Sequence, residues 1–205
     1  MKKLLGAVLA LVVLTGCSSN STKPAETANA PKPPEYVTGR TAFQKLYVAA
    51  RGWARDAQPY RLESQITEDA KGQDGKAGVW HGSFASTSLN GAKAFLWSGT
   101  DVANAPERGV SPGPQDSYNP TNSNQKVFDV AYLKTDSDEA FSTAQKHGGE
   151  KLLTANPGTP VFYVLDWTPA SNELIWHVTY GASRDEAKLK VAVNASTGEF
   201  MHTEK

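Results

Sequence analysis

Segments in which apolar and polar residues alternate recur from residue 60 to residue 203, and they limit this chain to a fold built on antiparallel sheet. Alternation with a period of two places one set of side chains on each face of a strand. Short turns rich in Gly, Asp and Asn separate the segments, and Asn90-Gly91 is a dipeptide that favours a tight hairpin. The predicted strands are 60–67, 79–88, 92–98, 127–134, 161–167, 173–180, 188–194 and 199–203.

Two helices are expected, one before each group of strands. Apolar residues recur at helical spacing over 43–54, and Thr41 with Gln44 fits a capping box at the start of this helix. Asp136 with Glu139 fits a second capping box, and acids in a first turn suit the helix dipole. Each helix can cover one face of the strands that follow it, which predicts an α+β fold.

The two halves of the chain share an order of elements and several residues. Pro59 precedes one strand and Pro160 the other, while Trp80-His81 and Trp176-His177 lie 96 residues apart in the strands that follow. Either the chain contains a true duplication, or two amphipathic α+β segments align loosely. On both interpretations each half is a helix laid on an antiparallel meander, so the prediction is two such units in tandem.

Composition divides the chain into five parts. Residues 1–16 combine two lysines with an apolar run and are expected to form a signal peptide. Residues 17–35 contain no large apolar side chain, so they are expected to be a disordered tether. The first unit is placed at 36–103 and the second at 126–205. The intervening 104–125, rich in Pro, Gly and Asn, is interpreted as a linker loop.

The N-terminus has the pattern of an export signal that ends in a lipid anchor. The apolar run 4–14 follows Lys2 and Lys3 and is too short to span a bilayer, which takes roughly 20 residues. The residues Leu14-Thr15-Gly16-Cys17 resemble the lipobox of bacterial lipoproteins. This resemblance implies a diacylglycerol on Cys17, cleavage before it and acylation of the new amine. Position 18 is Ser rather than Asp, as in the lipoproteins that enterobacteria sort to the outer membrane. If the organism is Gram-negative, this resemblance implies the periplasmic face of the outer membrane.

Cys17 is also the only cysteine, so no internal disulfide is available and the core must be stabilised by burial of apolar surface. Loss of Lys2 and Lys3 with the signal peptide leaves 19 cations against 21 acids, a net charge of about −2. With no run of Lys or Arg, nucleic-acid binding is not expected.

The end of the chain resembles a PepSY domain. Trp176-His-Val-Thr-Tyr180, followed by Val191-Ala-Val-Asn-Ala-Ser-Thr-Gly-Glu199, is similar to the family's closing strands, with Asn194 where Asp is commoner. The resemblance covers about 136–203, with a possible degenerate copy at 41–100. It implies a cystatin-like arrangement of helix and meander. It also implies a non-catalytic module of the kind proposed to bind or restrain peptidases, with no catalytic residues to transfer.

Four residues are candidates for a ligand site: His81, His177, Trp97 and Trp167. Both histidines are expected on the face opposite the tryptophan beside them, where they form either a paired metal or catalytic site or, as we favour, two polar residues on a solvated face. Asp166 and Glu173 could each add a carboxylate, although both lie near a turn and need no special role. Trp97 and Trp167 could stack on a sugar or peptide, although such residues are more often part of a core. No motif of a known nucleophile, zinc site or phosphate loop is present, so no catalytic residue, metal or cofactor is predicted.

Three hypotheses for function follow. The first is a lipid-anchored, non-catalytic module that binds a protein or peptide of the envelope. The PepSY resemblance implies that such a module could modulate a peptidase. The second is a small envelope hydrolase or metal-binding protein that uses His81 or His177. The third is a structural lipoprotein without a discrete ligand. A long exposed strand edge or an apolar groove between the repeats favours the first, and a pocket that joins His81 or His177 to a carboxylate favours the second. The absence of both features would leave the third.

Overall fold

Eight strands form one antiparallel sheet in the computed structural model, which describes residues 32–204; the chain from Pro33 onward makes one unit. The helices are α1 (Gly39–Trp53), α2 (Ser137–Ala144) and α3 (Glu150–Ala155). The strands are β1 (Val37–Thr38), β2 (Gln58–Gln65), β3 (Lys76–Ala77), β4 (Val79–Ser86), β5 (Gly91–Ser98), β6 (Gly109–Ser117), β7 (Val161–Thr168), β8 (Glu173–Tyr180), β9 (Leu189–Asn194) and β10 (Phe200–Glu204). The expected mixture of helix and antiparallel sheet is confirmed.

The sheet consists of two meanders joined through their first strands. Its order is β10-β9-β8-β7-β2-β4-β5-β6, while β1 and β3 pair separately. At the junction of β2 with β7, Leu62 lies opposite Leu165 and Glu63 opposite Val164. The two halves of the chain therefore share one continuous sheet.

The 96-residue spacing seen in the sequence is kept in the strand register. Trp80 of β4 lies opposite Trp97 of β5, and Trp176 of β8 lies opposite Val193 of β9. Adding 96 to both members of the first pair gives the second pair. Each half also begins with helical structure and continues with its meander.

The helices cover one face of the sheet, and two tryptophans lie at its centre. Trp80 and Trp176 are completely buried, with ring centroids 6.4 Å apart and an edge-to-face angle of 73°. The Trp80 indole donates a hydrogen bond to the Val37 carbonyl, and the Trp176 indole donates one to the Thr135 carbonyl, both at 3.0 Å. Each acceptor lies two residues before a helix, so each indole fixes the start of the helix in its own half.

The start of α1 differs from the sequence-based expectation. The capping box at Asp136 is present, but α1 begins at Gly39 rather than near Thr41, and its N-cap residue makes no side-chain capping bond. Its free N–H groups instead donate to the second half: Gly39 N to Ser137 Oγ at 2.7 Å and Arg40 N to Asp136 Oδ1 at 2.8 Å. A tertiary contact thus replaces the local cap.

Two other expectations about local structure are wrong. The segment interpreted as loop contains β6, which pairs with β5 although it carries Pro112 and Pro114. Prolines are tolerated in β6 because it is an edge strand. The strand expected at 127–134 is absent, and a 3-10 turn at Val130–Tyr132 stands there instead. Phe128 of this segment is buried in the core without being part of the sheet.

The predicted signal peptide, Cys17 and the part of the predicted tether up to residue 31 lie outside the described residues. Within 32–204, none of the helices has the length and apolar character needed to cross a bilayer.

Candidate functional site

One groove crosses the face of the sheet that the helices leave uncovered. It consists of three adjoining cavities of about 310, 460 and 250 Å³. Glu63 and Gln65 line the first two cavities, and Arg184 lines the last two. We call it the open-face groove. Its lining combines charged, neutral polar and apolar residues: Glu63, Ser64, Gln65, Ile66, His81, Phe162, Val164, Asp166, His177, Thr179, Ala182, Ser183, Arg184, Lys190 and Glu204.

Strand register explains why both candidate histidines lie in this groove. Residues opposite each other in an antiparallel pair point to the same face. A single row therefore crosses six neighbouring strands, in the order His81, Glu63, Val164, His177, Ala192 and His202. The expected orientation of His81 and His177, away from the buried tryptophans, is confirmed. Three strand spacings separate them, about 14 Å, so they do not form a paired metal or catalytic site.

His177 lies between two carboxylates. Its Nδ1 is 2.6 Å from Glu204 Oε1, and its Nε2 is 3.2 Å from Asp166 Oδ1. Burial alone would lower the pKa of His177, but the hydrogen bonds and charges of Asp166 and Glu204 outweigh it and raise that pKa to about 9. The hydrogen bond from His177 in turn lowers the pKa of Glu204. The imidazole is therefore protonated at neutral pH.

The charged contacts continue from Asp166 into β2. Asp166 Oδ2 accepts a hydrogen bond from Arg61 Nη1 at 3.0 Å, and Arg61 Nε donates to Glu63 Oε2 at 2.9 Å. Opposite charges thus alternate from Glu63 to Glu204, with Arg61 beside the groove and the other members in its lining. Of the two carboxylates named from the sequence, Asp166 lies in the groove, whereas Glu173 accepts a hydrogen bond from Asn194 Nδ2 at 2.8 Å. Arg184 and Glu204 of the groove, and Arg61 beside it, had no signal because they come from separate segments.

The other candidates have different environments. His81 Nε2 forms a hydrogen bond with Gln65 Oε1 at 2.9 Å. Burial lowers the pKa of His81 although the charge of Glu63 opposes this shift, so the imidazole is neutral at pH 7. Trp97 is only 3 % exposed and belongs to the core, with Lys45 above its ring. Trp167 is half-buried beside Tyr132 at the end of β7.

The contacts of His177 with Asp166 and Glu204 suit the binding of a charged ligand better than acid–base catalysis. A general base must be unprotonated and within reach of the proton that it removes, whereas His177 is charged and both of its nitrogens are occupied. Among residues 32–204, neither imidazole bonds to a Ser or Thr hydroxyl, and no group of three His, Cys, Asp or Glu side chains is placed to hold a metal ion. Asp166 and Glu204 lie on opposite nitrogens of one ring, so they do not converge on a common point.

The raised pKa of His177 predicts how stability depends on pH. The pKa of His177 in the folded protein lies above its ordinary value of 6.5. The stabilisation of the fold by protonated His177 is therefore complete below pH 6.5 and is lost as pH rises through about 9. With its side chain 21 % exposed, we expect a loss on the order of 1–2 kcal/mol. Urea unfolding at a series of pH values measures it. His177→Gln should lower stability at pH 6 and remove most of this slope, and an unchanged slope in that variant would contradict the assignment.

Comparison with known proteins returns no relative from which a role could be transferred. No protein-family model, no curated protein and no solved structure matches this chain. The implications of the PepSY and lipobox resemblances therefore stay predictions, and the function proposed below is inferred from this chain's own residues.

Proposed function

We propose that this protein is a lipid-anchored module of the bacterial cell envelope that binds a protein or peptide partner in the open-face groove, without catalysing a reaction. The observation that carries the proposal is the composition of the groove. It joins apolar side chains at Phe162 and Ile66 to a line of alternating charges, and the exposed Ala182 and Arg184 border it. Sites that bind peptides combine apolar contact with a few placed polar groups in this way.

The dimensions of the groove suit an extended peptide. From His81 on β4 to Glu204 on β10 it crosses five strand spacings, about 24 Å. An extended chain rises about 3.3 Å per residue, so this length accommodates about seven residues. Charged side chains of such a peptide would meet an opposite charge in the groove at Glu63, Arg184 or Glu204.

The edges of the sheet offer a poorer site for adding a strand. Pro112 and Pro114 remove two N–H donors from β6, and β10 at the other edge has only five residues. Short or proline-bearing edges are common devices against edge pairing. The groove is therefore preferred to an edge as the binding surface.

The two halves are proposed to be tandem PepSY-like units. The support is the repeated order of elements, the 96-residue offset kept in strand register, and the matching indole bonds of Trp80 and Trp176. If the resemblance reflects ancestry, exported peptidases are the first class of partner to test. The groove then belongs to both halves, because β2 and β4 come from one half and β7 to β10 from the other.

A substitution that fills the groove should weaken peptide binding. The probe is a set of peptides selected from a random displayed library on the mature chain carrying Cys17→Ser. Ala182→Trp places an indole over the cavity that contains Phe162, so we expect the affinity of the selected peptides to fall by about tenfold or more, the equivalent of about 1.4 kcal/mol. Calorimetry or fluorescence polarisation measures the change.

The matched control is Lys188→Trp, which lies in the same loop but does not line the groove. It should leave affinity within about twofold, a difference of about 0.4 kcal/mol. Equal losses in both variants, or no loss in Ala182→Trp, would place the peptides elsewhere and refute the groove as the binding site.

Removal of the predicted lipid site should release the protein from the membrane. One acyl chain of roughly 0.8 kcal/mol per methylene binds reversibly, whereas the chains expected on Cys17 together make release negligible. We expect Cys17→Ser to abolish labelling by a radioactive fatty acid and to allow the protein to be washed from membranes at high salt. Equal labelling of both forms would show that Cys17 is not the anchor.

A hydrolase that uses His177 is the second candidate, because two carboxylates orient this imidazole in a groove. As a general base it would have to lose its proton first. Activity on peptide or ester substrates would then rise towards pH 9 and be abolished in His177→Gln. A flat pH profile, or activity that survives this substitution, eliminates this candidate.

A further inference from the structure

The outer side of α1 carries positive charge and no acid. The segment from Tyr36 to Arg55 has four cations and no Asp or Glu, although the formal net charge of the whole chain is zero. The cations are Arg40, Lys45, Arg51 and Arg55. Lys45, Val48, Arg51 and Arg55 follow one another at intervals of three or four residues, which places them along one side of the helix and its end. All four are exposed. We call these four residues the α1 basic face.

The charges of this face are only partly neutralised. Lys45 pairs with Glu35 at 3.3 Å, while Arg51 and Arg55 have no ion-pair partner within residues 32–204. The nearest acid in sequence is Asp56, whose carboxylate is occupied by Ser86 and Ser88 in the turn after β4.

Val48 lies between these cations and is 75 % exposed, more than any other large apolar side chain that is described. An isolated exposed valine needs no explanation by itself. Surrounded by cations on a helix, however, it matches the composition of surfaces that rest on a bilayer, where basic residues meet lipid phosphates and an apolar side chain enters the headgroup boundary.

We propose that the α1 basic face docks on an anionic phospholipid surface. This inference rests on the anchoring part of the proposed function: α1 is the first helix of the described residues, and a fully extended chain over 18–38 would reach at most roughly 75 Å from Cys17, which keeps α1 near the membrane. A soluble polyanion would use the cations equally well but would gain nothing from Val48. The α1 basic face and the open-face groove lie on opposite sides of the sheet, so docking through α1 turns the groove away from the bilayer.

The test uses the mature chain carrying Cys17→Ser, so that binding does not depend on the lipid. Its partition onto phosphatidylcholine vesicles with and without phosphatidylglycerol is measured by co-sedimentation. Each cation near an anionic surface contributes about fivefold to the partition coefficient. Arg51→Gln with Arg55→Gln should therefore reduce binding to the phosphatidylglycerol vesicles about 25-fold. Val48→Asp should reduce it as well, and higher salt should weaken the parent protein's binding.

The matched control is Lys146→Gln with Lys151→Gln, which removes the same charge from exposed positions on the helical segment of the second half. It should retain nearly all of the binding. Equal losses in the two double variants, no binding of the parent protein to phosphatidylglycerol vesicles, or an unaffected Val48→Asp would each overturn the proposal. Binding to soluble polyphosphate but not to vesicles would assign the face to a polyanion instead. Failure here leaves peptide binding by the groove unchanged, so the two proposals are distinguishable.

Discussion

Gly75→Ala is expected to destabilise the fold by about 3–4 kcal/mol. Gly75 has a φ of +79°, a conformation that side chains with a Cβ rarely adopt. A Cβ there would lie 2.2 Å from Asp138 Cα and 2.5 Å from Asp138 N. These are backbone atoms of the first turn of α2, so the clash cannot be relieved by rotating a side chain. The substitution would also disturb two bonds, Ser137 Oγ donating to Gly75 O at 2.6 Å and Gly75 N donating to Tyr163 Oη at 3.1 Å.

Gly52→Ala in α1 is the matched control. A Cβ at Gly52 meets nothing within 4 Å, and the position is helical and exposed. This change should stabilise the protein by about 0.5–1 kcal/mol, because alanine loses less backbone freedom on folding. Urea unfolding of both variants measures the difference. A Gly75→Ala protein as stable as Gly52→Ala would show that the loop before β3 does not fix the position of α2.

Elements with a strong local period were predictable from the sequence. The strand expected at 173–180 matches β8, and those at 79–88, 92–98 and 161–167 match their strands to within two residues. These segments alternate because one face packs on the helices and the other faces the groove. Local pattern and tertiary environment agree there, which is the condition under which sequence reasoning succeeds.

Elements determined by distant contacts were not predictable. The β6 sequence reads as loop because of its prolines, and only its place beside β5 makes it a strand. The start of α1 depends on Asp136 and Ser137, nearly a hundred residues away. Phe128 was counted in a strand because its apolar side chain fits one, but it is buried without strand pairing.

The candidate site was half predictable for the same reason. Alternation placed His81 and His177 on the open face, since a strand's period of two fixes which side a residue faces. It could not show which strands are neighbours, so the contacts of His177 with Asp166 and Glu204 were hidden until β7, β8, β9 and β10 were placed in order. The junction of β2 with β7 was equally hidden, and it brings Arg61 to Asp166.

The second large loss of folding stability is expected when Trp176 is replaced. Its side chain is completely buried, its indole is bonded to the Thr135 carbonyl, and the start of α1 lies against it: a Cβ on Gly39 would be 2.5 Å from the Trp176 ring. Trp176→Ala would leave a large cavity where both halves of the chain meet. We expect a loss of about 3–5 kcal/mol, measured by urea unfolding. Trp167→Ala, at a half-buried position, should cost less than half as much.

A double-mutant cycle with Trp80 tests whether the two halves form one cooperative unit. Because the two rings make an edge-to-face contact, Trp80→Leu and Trp176→Leu, which remove the aromatic ring, should show a coupling energy of about 0.5–1.5 kcal/mol. Each single change also removes an indole bond to its own half, and those losses cancel in the cycle. Coupling near zero, or unfolding of the single variants in two separate transitions, would mean that the halves are stabilised independently. One transition with measurable coupling would mean that the groove, which takes strands from both halves, forms and is lost with the whole sheet.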